Sequence, residues 1–254
     1  MGTAALRLRS GQALDRPAER SEASRASDLC HTFLVSSIHP SRTRDLVELI
    51  LGYGVIVGVI WTPEHLQRIF SPMILVLTLL VVLAGRSRGE EQNNQDLGLG
   101  WRGLIPSLWI LPTALALAAV GMFVAAKIGT LHPLYKADFA HVFGYVLWTI
   151  YQQFLLQDYF MERMLRLVPS RAAAVTLAGT LFAAAHLPNL VLTAATLVWG
   201  IVSCALFRRY RNLWALGLAQ GLLGLCFAIC VPDALHHHLR VGLGYLKYRA
   251  APAP

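Results

Sequence analysis

Three apolar stretches of this chain carry amide or imidazole side chains at spacings that could build one polar site. The first reads Trp148-Thr149-Ile150-Tyr151-Gln152-Gln153-Phe154-Leu155-Leu156-Gln157-Asp158. Gln153 and Gln157 are four residues apart, hence on one helical face, and Gln152 lies one residue round. The second reads Phe182-Ala183-Ala184-Ala185-His186, and the third Leu218-Ala219-Gln220-Gly221. Glutamine amides donate and accept hydrogen bonds but do not titrate in the useful range, whereas the His186 imidazole exchanges a proton near neutrality. Two readings follow from the residue types alone. The groups glue helices together by interhelical hydrogen bonds, or they line a buried polar site.

The elements that must position these groups are set by composition. The chain has 254 residues, 56% of them hydrophobic and 14% charged, with a mean hydropathy of +0.52. Soluble domains carry about 25% charged residues. This excludes a disordered chain and a disulfide scaffold, and argues against a cytosolic enzyme. The fold class expected is all-α, a polytopic transmembrane helix bundle. Apolar spans fall at residues 46–62, 69–85, 104–126, 139–156, 172–185, 190–207 and 213–231. Residues 241–248, aromatic and basic, lie at the interface or begin an eighth span. Seven or eight spans are therefore expected, in a membrane domain over residues 46–254. Residues 1–45 are rich in Arg, Ser, Ala and acids without an apolar run, so a disordered basic tail is expected there. No apolar region follows the early arginines as in a signal peptide. Leu6 stands where a myristoylation signal needs Ser or Thr.

The net charge of +8, from 22 basic against 14 acidic residues, sits in the segments between spans. That placement points to membrane topology and to no nucleic-acid partner. With a cytoplasmic N-terminus, sixteen Lys and Arg residues fall inside and six outside, the sense the positive-inside rule favours. A multi-pass protein of the cell membrane with a cytoplasmic N-terminus is expected, with membrane lipids as partners. Depth can be counted from the arginines that mark each helix end. Gln152 is 11 residues from Arg163, His186 is 15 from Arg171, and Gln220 is 9 from Arg211. At the α-helical rise these are about 16, 22 and 13 Å, all inside a bilayer about 30 Å thick and close enough for one pocket.

Other polar groups have plainer readings. Asp158 and Glu162 suit a solvated helix end, and Glu48 a polar entry near the cytoplasmic face. Cys226 and Cys230 share a helical face and read as small core residues. His236-His237-His238 reads as an interfacial cluster, with a peripheral metal site as the alternative, because consecutive helical side chains diverge by about 100°. No metal and no cofactor is expected in the core, where a catalytic zinc would need about three protein ligands and only His186 offers one.

At these same residues the chain resembles the CAAX protease and bacteriocin-processing family, membrane-embedded endopeptidases of the glutamic type. That family carries E-E-x-x-x-R, then F-x-x-x-H, then H-x-x-x-N after an N-L-W-A stretch. Here Gln152-Gln153-x-x-x-Gln157 stands at the first motif. Phe182-x-x-x-His186, followed by Leu187-Pro188-Asn189, matches the second in full. Arg211-Asn212-Leu213-Trp214-Ala215 matches the lead-in to the third, where Gln220 replaces the His and Gly224 the Asn. The agreement in order and spacing covers about residues 141–230. The resemblance implies a CAAX-protease-like bundle and a site built on Gln152, Gln153, Gln157, His186 and Gln220, with Phe182 and Gly224 on the substrate side. It also implies a membrane-associated peptide or protein as substrate.

The residues present change the chemistry that the resemblance implies. A general base must accept a proton, and Gln152 and Gln153 cannot. Gln157 does not replace a guanidinium charge. Gln220 can donate to an oxyanion, Gly224 offers no side chain, and His186 keeps the one ionisable group. Three readings stay open: processing of membrane-associated peptides by altered catalysis, a pseudo-protease that binds a peptide or lipid in the same cavity, and a structural or transporter-like membrane protein.

Overall fold

The computed structural model describes residues 42–63, 65–67, 69–70, 73–74, 76, 97–101, 103–135 and 137–248. The expected tail before residue 42 and most of the span expected at 69–85 lie outside the described residues. Among these residues every regular element is helical. The order is α1 (Arg42–Ile60), α2 (Leu104–Ser107), α3 (Ile110–Ile128), α4 (Phe139–Phe154), a π-helical segment (Leu155–Met161), α5 (Glu162–Leu167), α6 (Arg171–Ala184), α7 (Leu190–Tyr210), α8 (Leu213–Cys230), α9 (Asp233–His236) and α10 (Gly242–Leu246). Three helices are long and apolar enough to cross a membrane: Leu104–Ile128, Leu190–Tyr210 and Leu213–Cys230. The first spans α2, α3 and the turn between them. Arg171–Ala184 is apolar and shorter.

The residue pattern explains which face turns inward. On α3, Ala114, Ala118 and Ala125 are buried while Leu115, Leu117, Val120 and Phe123 are exposed. In water this would be inside out. In lipid, large apolar groups solvate well and small residues let backbones approach. One close approach is between α6 and α7. A Cβ on Gly179 would stand 2.8 Å from the Ile201 nitrogen and 3.2 Å from the Gly200 carbonyl carbon. No larger residue fits that crossing without a backbone shift. α8 packs on both α3 and α4, which puts it at the centre of the bundle.

Caps mark the helix starts. Asp138 accepts from the His141 N–H, Ser170 from Ala173, Asn189 from Leu192 and Asn212 from Ala215. Asn212 has a second task. Its Nδ2 donates to the Gly100 carbonyl (3.3 Å), and the Leu213 N–H reaches the Gly98 carbonyl (2.9 Å). With Trp214 Nε1 donating to the Leu99 carbonyl, the Asn-Leu-Trp stretch ties the segment before α2 to the start of α8.

Ion pairs gather at this end of the bundle. Arg166 donates to both oxygens of buried Asp45 at 2.8 and 2.7 Å. Arg163 joins Glu48, and Arg211 joins Glu162 at 2.6 Å. Glu48 is therefore a tie between α1 and α5. At the opposite end, the segment after α8 folds back as a strap over the α6–α7 turn. The Gly242 N–H donates to the Leu187 carbonyl, and Asn189 Nδ2 donates to the carbonyls of His236 and Arg240.

Candidate functional site

The site lies where α4, the π-helical segment, α6, α7 and α8 meet. Gln153 and Gln157 come from the α4–π junction, and both are fully buried. Gln157 Nε2 donates to Gln153 Oε1 at 2.9 Å, one helical step back. Gln153 Nε2 donates to Gln220 Oε1 on α8 at 2.6 Å, and Gln220 Nε2 donates to Gln152 Oε1. The three links form one directed chain, Gln157 to Gln153 to Gln220 to Gln152, in which Gln153 and Gln220 each donate forward and accept from behind, while the buried Gln157 Oε1 at its head has no hydrogen-bond partner. α7 contributes two groups. Trp199 Nε1 also donates to Gln220 Oε1 (2.9 Å), and Ser203 accepts from Gln157 Nε2 (3.4 Å). Gln220 is thus the node that ties α4, α7 and α8 together.

Beside this chain opens a cavity of about 590 Å³. Gln152, Gln220, His186, Phe182 and Gly224 all line it, and so do Tyr145, Trp148 and Trp199. Gln153 and Gln157 do not line it; they stand behind Gln220 and Gln152. The structure therefore brings together groups from three separated stretches, but as a front row and a back row. Within the cavity wall the described residues include no Asp, Glu, Lys or Arg. His186 is nine-tenths buried. Its Nδ1 lies 2.7 Å from the Phe182 carbonyl, four residues back, and donates there, so Nε2 is the acceptor nitrogen. The Phe182 ring meets the imidazole edge to face at 5.0 Å. The F-x-x-x-H spacing thus holds the ring twice, once by backbone and once by side chain.

Gly224 has a specific neighbour. A Cβ built there would fall 2.0 Å from the Tyr145 hydroxyl oxygen. The phenol from α4 occupies the space that a side chain on α8 would fill. Asp158 was expected at a solvated helix end, yet it is buried, and neither carboxylate oxygen has a hydrogen-bond partner. The π-helical segment sets the phase at which residues 155–161 face their neighbours, and it turns Asp158 inward. Asp158 does not line the cavity.

Sequence reasoning did not single out Trp199, Ser203 or Tyr145. Trp199 and Ser203 are four apart in an otherwise apolar helix, a spacing that puts both on the face meeting Gln220 and Gln157. Tyr145 lies eight residues before Gln153, two turns away on the same helix.

What this arrangement can do chemically is limited by what it contains. The amide chain orients dipoles and can bind a carbonyl or amide group at its cavity end, through Gln152 and Gln220. It offers no carboxylate to take a proton from water. No cluster of metal ligands stands at the cavity among the described residues.

A family model described as type II CAAX prenyl endopeptidase Rce1-like matches residues 29–226. That range takes in α1 and every element that builds the cavity up to α8. Neither the curated proteins nor the solved structures give a match.

Proposed function

The chain belongs to the type II CAAX prenyl endopeptidase Rce1-like family, and from that premise we propose that it is a non-hydrolytic member which holds a membrane-associated peptide or its lipid chain in the α4–α6–α7–α8 cavity. On this reading it is a multi-pass protein of seven or eight spans, with the strap end facing away from the cytoplasm. The reading rests on one observation: the positions where the resemblance places a base, its arginine and an oxyanion-holding His carry Gln152, Gln153, Gln157 and Gln220, linked into a single hydrogen-bonded amide chain. Neutral amides pair with one another without the desolvation cost of buried charge. The cavity wall supports the binding half of the proposal. It is mostly aliphatic and aromatic, with Gln152, Gln220, His186, Gln67 and Thr196 among its polar fixtures, the mix that fixes the orientation of a largely apolar ligand.

The test uses the full chain purified in detergent and a fluorescent farnesylated peptide. Wild type is expected to bind the peptide and release no cleavage product. Ala195→Trp places a large ring in the cavity wall and is expected to weaken binding by about tenfold or more. Cleavage by wild type that disappears in His186→Ala would overturn the proposal in favour of altered catalysis. Failure of wild type to bind would favour a purely structural role.

A further inference from the structure

The strap end of the bundle gathers a second set of chemistry-bearing side chains, away from the cavity chain. His132 comes from the loop between α3 and α4, and Asp233 and His236 come from α9. One donor atom from each lies within 4.8 Å of the other two. His236 Nε2 is 3.4 Å from Asp233 Oδ1. Both His132 Nε2 and His236 Nε2 stand 2.8 Å from the Val231 carbonyl oxygen. The imidazole rings of His132 and His236 lie nearly parallel, 17° apart.

From these positions we propose that His132, Asp233 and His236 bind a divalent transition-metal ion of the zinc class, with the Val231 carbonyl or a water as fourth ligand. Donors of a tetrahedral zinc site stand about 3.3 Å apart, given metal–ligand bonds of about 2.0–2.2 Å. The three side chains therefore close on an ion by tilting about an ångström, and no backbone need cross.

The surroundings of His132 and Asp233 agree, whereas His236 must shift its proton to bind. His132 Nδ1 lies 3.1 Å from the Pro133 carbonyl, which would accept its N–H once an ion holds Nε2. A neutral imidazole with Nδ1–H carries its lone pair on Nε2, the nitrogen turned toward Asp233 and His236. An outer carbonyl that fixes the tautomer in this way accompanies almost every metal-binding histidine. With no cation at Nε2, both ring nitrogens of His132 would face carbonyl oxygens with one hydrogen to share. Asp233 is also oriented from outside, because His238 Nδ1 sits 2.9 Å from its Oδ1 and His238 Nε2 contacts the Tyr248 hydroxyl at 3.0 Å.

His236 links the ion to the cavity. Its Nδ1 accepts the Leu239 N–H at 3.0 Å, so its proton is on Nε2. An ion at Nε2 moves that proton to Nδ1 and releases the Leu239 N–H. Leu239 ends a run of three residues, with His237 and His238, at φ of 47, 54 and 60°. That conformation is strained for a non-glycine residue and persists only while its surroundings hold it. Leu239 and Val241 line the cavity, so uptake of the ion resets part of the cavity wall.

The experiment uses tag-free full-length protein stripped with a chelator. Cobalt(II) is titrated in as the probe and then displaced with zinc. A visible band of tetrahedral cobalt saturating at one equivalent is expected. His132→Ala and Asp233→Asn are each expected to weaken binding by on the order of tenfold or more, while His237→Ala, whose ring stacks on Tyr245 and Tyr248, leaves it unchanged. His132→Cys guards against mere misfolding, because a thiolate ligand adds a sulfur-to-cobalt charge-transfer band that a structural residue would not produce. Absence of a stoichiometric band, or a band unaffected by His132→Ala and lost in His237→Ala, would overturn the proposal.

Discussion

Replacing Gln220 by leucine removes the node of the amide chain and leaves three groups without their partner. The Gln153 N–H, the Trp199 indole N–H and the Gln152 carbonyl all bond to Gln220. Interhelical hydrogen bonds in lipid are worth about 0.6 kcal/mol on average, with a maximum near 1.7. Three of them give about 2 kcal/mol. The loss is unequal. Trp199 and Gln152 line the cavity and can turn to water there, whereas Gln153 is fully buried and cannot. The larger part therefore falls on Gln153, whose orphaned amide costs about 1–3 kcal/mol. A double-mutant cycle isolates that part. Gln153→Leu and Gln220→Leu together are expected to cost less than their sum by about 1 kcal/mol, because removing both partners leaves no orphan between them. The assay is reversible unfolding in bicelles with SDS, followed by tryptophan fluorescence. A cycle that closes to within about 0.3 kcal/mol, the range of independent sites, would refute the hydrogen bond and with it the chain.

Other consequences follow from named contacts. Gly179→Ala puts a Cβ within 2.8 Å of the Ile201 nitrogen and should cost on the order of 1–3 kcal/mol by forcing α6 and α7 apart; an unchanged SDS midpoint would contradict the crossing. Gly224→Asn should destabilise the wild type by a similar amount, and Tyr145→Ala should relieve it, since the phenol holds the space the new side chain needs; equal cost in both backgrounds would count against this. His132 titrates above the ordinary histidine range, chiefly because its Nε2 faces the Val231 carbonyl, with Pro133 and Asp233 acting in the same sense against partial burial. A raised folded value means that its stabilisation is complete below about pH 6.5 and is lost as pH rises through the folded value. Metal-free wild type should therefore lose thermal stability over that rise, and His132→Gln should flatten the slope although Asp233, His236 and His238 still surround the position.

The sequence made the members of the amide chain legible because residue type is the strong signal in lipid. A buried amide in an apolar helix is costly, and so Gln152, Gln153, Gln157 and Gln220 stood out. Counting from Arg163, Arg171 and Arg211 gave depths that agree with one cavity holding Gln152, His186 and Gln220. What could not be read was rank within the site. Whether Gln153 or Gln152 faces the cavity depends on helix rotation, and the rotation is set by the packing of α4 on α8. Asp158 was misplaced for a related reason. A regular α-helical count carries it to the surface end, whereas the π-helical turn buries it. The strap was the least legible part, because α9 and α10 have only four and five residues and no periodicity can be read over so short a length. Asn189 could have pointed to it. A helix cap needs only its side-chain oxygen, and the spare amide binds the strap.

The π-helical segment from Leu155 to Met161 has a bearing on how this chain can change over generations. A π turn holds one more residue than an α turn in the same length. Deleting one residue there would let the segment relax into an ordinary α-helix of the same span, with the turns on either side keeping their phase. Arg163 and Arg166 would still meet Glu48 and Asp45, the contacts that fix α5 on α1. Gln152 and Gln153, upstream, would keep their places. The segment therefore works like a vernier between two fixed scales: a length change of one residue, which in a regular helix would turn everything beyond it by about 100° and uncouple the polar site from its anchorage, is absorbed there.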